Sequence, residues 1–246
     1  MVSRGSRLGP FGALGSSAGQ ALKRTETRLL IVGLVVVGAI FGFAGLAGEV
    51  REGDVLSVDR IILMAFRVPG HPDIAIGPRW VQESARDITA LGGFTVLTLV
   101  TLAAIVLLAM HGRRAQATVF AVTVIVAQLA SGLLKTYFDR PRPAVVPALD
   151  LVYSSSFPSG HAMMTPVVYL SLATIVAAGE HQTSLKVLVL TSAASLVLAV
   201  GVSRVYLGVH WPTDVLAGWA LGIAIALSAS VALYHVVAPK RPTDPL

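Results

Sequence analysis

The chain has 246 residues, of which 54% are hydrophobic and only 13% charged, and its mean hydropathy is +0.76. A soluble domain averages about 25% charged residues, so this balance excludes an ordinary soluble fold and places the chain among membrane proteins. The absence of cysteine excludes disulfides, thiolate catalysis and cysteine metal sites, and a net charge of +6 dispersed among apolar runs fits membrane topology and phosphate binding better than nucleic acid.

Residues 1–28 are rich in Gly, Ser and Ala, carry Arg4, Arg7, Lys23, Arg24 and Arg28, and show no apolar period; they read as a flexible tail. Residues 29–47 form a first apolar span. A cleaved signal peptide is the alternative, although the run exceeds the usual core of about 7–15 residues. Residues 48–90 are the longest polar stretch. Within them Val55 to Phe66 has apolar residues at helical spacing, interrupted by Asp59 and Arg60, and reads either as an interfacial amphipathic helix or as a small helix capping a bundle. Pro69, Gly70, Pro72 and Pro78 then break the pattern, and Trp80 to Ala90 resumes it.

Five further spans follow: Leu91 to Met110, Ala117 to Lys135, Ala162 to Gly179 (short, with Pro166 inside), Val187 to Tyr206 and Asp214 to Val237. Each has about the 20 residues that a hydrocarbon core of roughly 30 Å requires. The expected fold is an all-α integral membrane bundle of six transmembrane helices over residues 29–237, ending in a cytoplasmic tail at 238–246. Short segments on the side of the termini carry ten Lys and Arg against three acidic residues. The positive-inside rule therefore places both termini in the cytoplasm and the other loops outside. Tyr137, Tyr153, Tyr206 and Trp211 lie near those outer ends, as an aromatic belt would.

Three polar blocks fall at the outer ends of spans 3 to 6. Lys135 to Pro143 (KTYFDRPRP) closes span 3, Pro158 to His161 (PSGH) opens span 4, and Ser203 to Asp214 (SRVYLGVHWPTD) joins spans 5 and 6. Lys135, Arg142 and Arg204 are three cations at a low-dielectric boundary. No local acid obviously balances them, and a multi-oxygen anion is the simplest partner. Snorkelling is the plainer reading of Lys135 alone. Asp139 and Arg140 read as a pair on the loop surface, outside the core site. In the second block Pro158 presets the first helical turn, Ser159 caps it or donates to a ligand, and Gly160 admits an anion to the free N–H groups. His161 then stands beside a leaving oxygen. In the third, Asp214 can hold one ring nitrogen of His210 and leave the other free to attack. His71, His111, His181 and His235 read as ordinary loop or core residues. A zinc site built from His161, His210 and Asp214 is the rival, and three neighbouring cations would repel a dication.

Lys-x6-Arg-Pro, Pro-Ser-Gly-His and Ser-Arg-x5-His-x3-Asp, in this order, resemble the signature of the type 2 phosphatidic acid phosphatase family, within the superfamily that also contains vanadium haloperoxidases. All signature positions match. The resemblance implies a metal- and cofactor-independent membrane phosphatase acting on a lipid phosphate monoester or diphosphate such as phosphatidate, phosphatidylglycerol phosphate or undecaprenyl diphosphate. It implies His210 as a nucleophile forming phosphohistidine, Asp214 as its orienting acid and His161 as general acid. Lys135, Arg142, Ser159, Gly160 and Arg204 would hold the phosphoryl oxygens. A lipid phosphotransferase using the same histidine and a non-catalytic lipid-binding protein are the alternatives. The expected setting is a bacterial cell membrane with the site on the outer face. No nucleic-acid partner is implied, and the sequence carries no sign of oligomeric state.

Overall fold

The computed structural model describes residues 10–52, 57–152 and 154–237, with side chains from residue 26 to 234. The chain divides into two units, helix α1 as far as Val35 and the residues from Val36 onward. Helix α1 (Pro10–Arg51) contains the first expected span. It begins well inside the segment read as a tail, whose first nine residues lie outside those described, as does the C-terminal tail at 238–246. In the second unit, Phe43, Leu46 and Ala47 of α1 pack with Val50, Phe138, Phe157 and Ala217. The ring of Phe157 stacks on Phe43 at 5.8 Å and meets Phe138 edge-on at 4.8 Å.

Helix α2 (Ser57–Ala65) is followed by an antiparallel hairpin, β1 (Arg67–Val68) and β2 (His71–Ala75), turned by Gly70 at φ +81°. Helix α2 fully buries Asp59 and Leu63 and packs against the last helix of the chain, while Val58 and Ile61 stay exposed. Helices α3 (Arg79–Ala90) and α4 (Phe94–Met110) are bent by 43° at Leu91-Gly92-Gly93. With 17 residues, α4 reaches spanning length only together with α3. The carbonyl that the break frees at Leu91 accepts the Tyr169 hydroxyl at 2.7 Å, which satisfies a group that would otherwise be costly inside a bilayer.

Helix α5 (Arg114–Phe138) is the third span. The fourth runs from α6 (Gly160–Thr165) through a π-helical turn (Pro166–Leu170) into α7 (Ser171–Gly179). Pro166 has no N–H to give the preceding turn, and the widened turn absorbs the defect. Helices α8 (Thr183–Tyr206) and α9 (Pro212–Val237) complete the bundle. Among the described residues five helices are long and apolar enough to cross a membrane, and six spans result when α3 and α4 count as one. The fourth span is the central one: Met163, Thr165, Val167 and Val168 are wholly buried. Lipid tails are as apolar as these side chains, so close contact rather than transfer from water must hold the helices together. The sequence supplies it at Gly222, where a Cβ would stand 2.3 Å from the Met163 carbonyl oxygen. Only glycine lets α9 approach the α6 backbone this closely.

Candidate active site

The first block ends α5 in a sharp reversal. Asp139 takes the left-handed conformation at φ 39°, ψ 37°, and its N–H caps the Lys135 carbonyl at 3.0 Å. Pro141 and Pro143 bar any continuation of the helix. The reversal leaves Asp139 exposed and turns Arg140 inward, which corrects the expected surface pair of these two residues. Arg140 is 6% exposed and bridges two fully buried carboxylates, donating Nη1 to Asp214 Oδ1 at 2.5 Å and Nη2 to Asp59 Oδ2 at 2.9 Å. The same Nη1 reaches Thr213 Oγ1 at 2.8 Å, and the guanidinium lies 5.7 Å from the Trp211 ring centre.

Lys135 and Arg142 remain half-buried and carry no carboxylate partner among the described residues. They rest on neutral acceptors in the segment that precedes α6 and in the turn between α8 and α9. Lys135 Nζ donates to the Ser155 carbonyl at 2.6 Å. Arg142 donates Nε to the Ser154 carbonyl at 2.8 Å and Nη1 to the Val209 carbonyl at 2.5 Å. Burial and the adjacent Arg204 lower the Arg142 pKa to about 10, which leaves it charged at neutral pH. Arg204 differs. It is 1% exposed and donates Nη1 to Asp150 Oδ2 at 2.7 Å and to Thr89 Oγ1 at 3.1 Å, while its buried Nε has no hydrogen-bond partner among the described residues. The sequence reading of three unbalanced cations thus holds for two, and Arg204 has a counter-ion.

At the second block the fully buried Ser159 is the N-cap of α6, its Oγ accepting from the Ala162 N–H at 3.4 Å. Its backbone N–H donates to the Asp214 carbonyl at 3.0 Å, which ties the second block to the third. A Cβ at Gly160 would meet Lys135 Cε at 3.6 Å and Ser131 Oγ at 3.7 Å, ordinary contact distances, so the protein itself does not force glycine there. The open side faces a cavity. His161 is half-buried beside it, and among the described residues its ring has no hydrogen-bond partner.

The third block turns on Gly208. At φ +72° it ends α8, and a Cβ there would lie 2.7 Å from Arg67 Nη2 and 2.8 Å from Val146 Cγ2. The reversal delivers His210 to the interior, where it is 1% exposed. Its Nδ1 faces Asp214 Oδ2 at 3.4 Å, and its Nε2 faces Arg142 Nη1 at 3.2 Å. A guanidinium can only donate. Nε2 is therefore the unprotonated nitrogen, and Nδ1–H points to the carboxylate. Burial lowers the His210 pKa to about 4 against the raising effect of Asp214, which keeps the ring neutral and its lone pair available. Asp214 Oδ2 also accepts from the Trp211 N–H at 2.8 Å and from the Ser156 hydroxyl, so this carboxylate is fully engaged.

The cavity, about 530 Å³, runs between α4 and α5 along Leu97, Leu102, Ile125 and Leu129, and Lys135, Gly160 and His161 stand at its polar end. The structure thus brings together the residues marked in the sequence and adds Arg140, Asp59, Asp150 and Thr89. Asp59 and Asp150 were visible only as isolated acids, one breaking an apolar period and one in a loop. The aromatic belt is corrected in part. Tyr137 is exposed, but Tyr206 and Trp211 are buried, bonded through Oη to the Ile76 carbonyl and through Nε1 to the Pro141 carbonyl. Tyr153 lies outside the described residues. His71, His111 and His181 are exposed, and the side chain of His235 is not among those described. Among the described residues no three His, Asp or Glu side chains are grouped to hold a metal ion.

A transmembrane bundle that buries a histidine on its carboxylate among several cations, with an apolar cavity reaching Lys135 and His161, suits a membrane protein that handles phosphate on an apolar carrier. Comparison with known proteins makes this specific. The profile of the PAP2 superfamily matches residues 116–240, and the chain belongs to that superfamily. Phosphatidylglycerophosphatase B of Bacillus subtilis is 31% identical over 188 residues, 74% of this chain and 87% of the relative. An undecaprenyl-diphosphatase of Sulfolobus acidocaldarius is 38% identical over 87 residues, about a third of each chain. The crystal structure of a transmembrane PAP2-type phosphatidylglycerolphosphate phosphatase from Bacillus subtilis superposes with a TM-score of 0.72 at 28% identity, covering 85% of this chain and 98% of that one. The protein is an integral membrane phosphoric ester hydrolase.

Proposed function

We propose that this membrane lipid phosphatase hydrolyses a lipid phosphate monoester or diphosphate through a phosphohistidine at His210. The observation that carries the reading is the pair of contacts at His210: Nδ1 faces Asp214 Oδ2 and Nε2 faces the Arg142 guanidinium, which assigns the proton to Nδ1. The phosphoryl group takes the place of the carbonyls on Lys135 and Arg142, with Arg204, Ser159 and the N–H groups at Gly160 completing the cradle. Nε2 attacks phosphorus, and the bond to the lipid oxygen breaks as His161, protonated once the phosphate anion offsets the surrounding cations, gives that oxygen a proton. Asp214 then faces a positively charged ring. In the second half His161 takes a proton from water, whose oxygen attacks phosphorus and frees Nε2. The cations stabilise charge on the phosphoryl oxygens in both steps, and no metal is needed for that task.

The apolar cavity accommodates the lipid part. The relatives' names support phosphatidylglycerol phosphate as the first candidate substrate, with undecaprenyl diphosphate and phosphatidate as further candidates. Transfer to a second lipid instead of water uses the same histidine and is the alternative. Charge asymmetry of the short loops supports cytoplasmic termini and a site on the outer face of a bacterial cell membrane. The test is phosphate release by purified protein in detergent with EDTA, across these three lipids and a soluble ester, with His210→Ala as control. Release from one lipid that is lost in the variant is expected, together with acid-labile phosphate on the wild-type protein under single turnover. Turnover retained by His210→Ala refutes the nucleophile, and inhibition by EDTA that zinc reverses refutes the metal-free mechanism.

A further inference from the structure

We infer that Asp59, on helix α2 and outside all three signature blocks, is a positioning residue for the nucleophile, acting through Arg140 and Asp214. This rests on the reading of His210 as nucleophile and Asp214 as its orienting acid.

Asp59 is fully buried, and both its oxygens are used. Oδ1 accepts the Thr213 backbone N–H at 2.8 Å, in the first turn of α9. Oδ2 accepts Thr213 Oγ1 at 2.7 Å and Arg140 Nη2 at 2.9 Å. Arg140 carries the contact onward to Asp214 Oδ1 at 2.5 Å, and Asp214 Oδ2 faces His210. Asp59 is therefore the far end of a continuous polar chain that ends on the nucleophile, and 154 residues separate it from Thr213.

Two physical consequences follow. The first is geometric. The contact of Asp214 with His210 is 3.4 Å, longer than its contacts with the Trp211 N–H at 2.8 Å and Arg140 at 2.5 Å. A small rotation of the carboxylate therefore costs the histidine contact first. With Nη2 fixed by Asp59, the Arg140 fork holds Oδ1 and forbids that rotation. The second is electrostatic. Arg140 and Asp214 alone would be a neutral pair, offering little to a ring that becomes positive. Asp59 supplies a second negative charge, so the three groups together remain anionic toward His210. Both effects act when the ring gains charge and leave the cations that bind phosphate untouched. A residue that merely braced α2 against α9 would not separate the two.

The test compares kcat and KM of Asp59→Asn, Asp214→Asn and the double variant on the lipid that the wild type hydrolyses, with thermal stability measured in the same detergent. Asn keeps an oxygen for the Thr213 N–H and removes the charge. The expected result is a kcat lower by about ten- to a hundredfold with KM within about twofold, as small misplacements of reacting groups produce. The double variant should be no slower than Asp214→Asn. Losses that multiply in the double variant, or a KM that rises in step with the fall in kcat, would overturn the inference. A large loss in Asp214→Asn beside an unchanged Asp59→Asn removes the role of Asp59 alone. Wild-type kcat in Asp214→Asn removes the orienting role of Asp214 and this inference with it. Should Asp59→Asn fail to fold, Arg140→Lys carries the same comparison, since it keeps the buried charge but cannot bridge both carboxylates.

Discussion

Arg140→Gln separates the structure from the plainer view of block one. On a loop surface, pairing with Asp139, Arg140 would contribute about 0.2–1 kcal/mol, the range of exposed ion pairs. The structure instead sets it between Asp59 and Asp214, each fully buried, with its own side chain 6% exposed. Gln cannot supply the charge, and two carboxylates are left sharing one enclosed region without a cation. Removing one member of a buried pair costs about 3–5 kcal/mol, because the remaining charge has lost its compensation. The two carboxylates share this cation, so the upper part of that range is expected. Each 1.4 kcal/mol is tenfold, which makes about 4 kcal/mol close to a thousandfold in the unfolding equilibrium. The assay is reversible unfolding in mixed detergent–SDS micelles, with Asp139→Ala as the exposed control. Adding Asp59→Asn to Arg140→Gln should recover part of the loss, since one orphaned charge disappears. A loss for Arg140→Gln below about 1 kcal/mol, equal to that of Asp139→Ala, would refute the buried bridge.

Other perturbations report on separate parts of the site. His210 has a folded pKa of about 4 against 6.5 in the unfolded chain, so the unfolded state binds more protons between those values. Stability contributed by the neutral ring is present above pH 6.5 and is lost as pH falls toward 4, by about 3 kcal/mol in all. His210→Gln should flatten this part of the unfolding-versus-pH curve, and an identical slope in wild type and variant would contradict the burial of a neutral ring. Gly92→Ala places a Cβ 2.5 Å from Val200 Cγ1 and 3.3 Å from His161 Cδ2 at the α3–α4 break. Overpacking of this kind costs about 1–3 kcal/mol, and here a lower kcat should accompany the lower stability; wild-type values of both would show that the break is not held against His161. Arg142→Lys keeps a cation but not the fork that spans Ser154, Val209 and His210, and phosphate release should fall at least tenfold. An equal rate would reduce Arg142 to a point charge.

The apolar runs stated the spans because bilayer thickness dictates their length, and the three blocks stated the site because the chemistry needs those residue types at helix ends. What the sequence hid has two causes. Arg140 and Asp139 are adjacent and opposite in charge, and a surface pair is the plain expectation. One backbone angle, the left-handed φ of Asp139, sends them in opposite directions, and φ is set by how the helix ends rather than by residue identity. Asp59 and Asp150 meet their partners across 81 and 54 residues, and no local pattern encodes such a pairing. The break between α3 and α4 falls at Gly92-Gly93, inside the run read from the sequence as one span beginning at Leu91. Its significance needed Tyr169, whose hydroxyl satisfies the freed carbonyl from the fourth span.

Asp150 bears on how the protein balances its buried cations. Lys135 and Arg142 rest on backbone carbonyls, neutral acceptors that, on the function proposed above, a phosphate oxygen would replace with a charged one. Arg204 is enclosed more deeply, at 1% exposure, and a carbonyl alone would leave its charge poorly balanced. Its carboxylate comes from a residue that is 33% exposed, on the loop between the first and second blocks. One-third exposed, Asp150 gives up less on leaving than a fully buried acid would. Asp150→Asn removes this counter-ion in the empty enzyme while leaving the phosphate site formed. The thermal midpoint without ligand should fall. Orthovanadate or inorganic phosphate should restore more of it than these anions add to the wild type, because binding then also neutralises Arg204. Equal ligand-induced shifts in the two proteins would show that Asp150 stays on Arg204 when phosphate is bound, and that the carboxylate belongs to the occupied site rather than to the empty one.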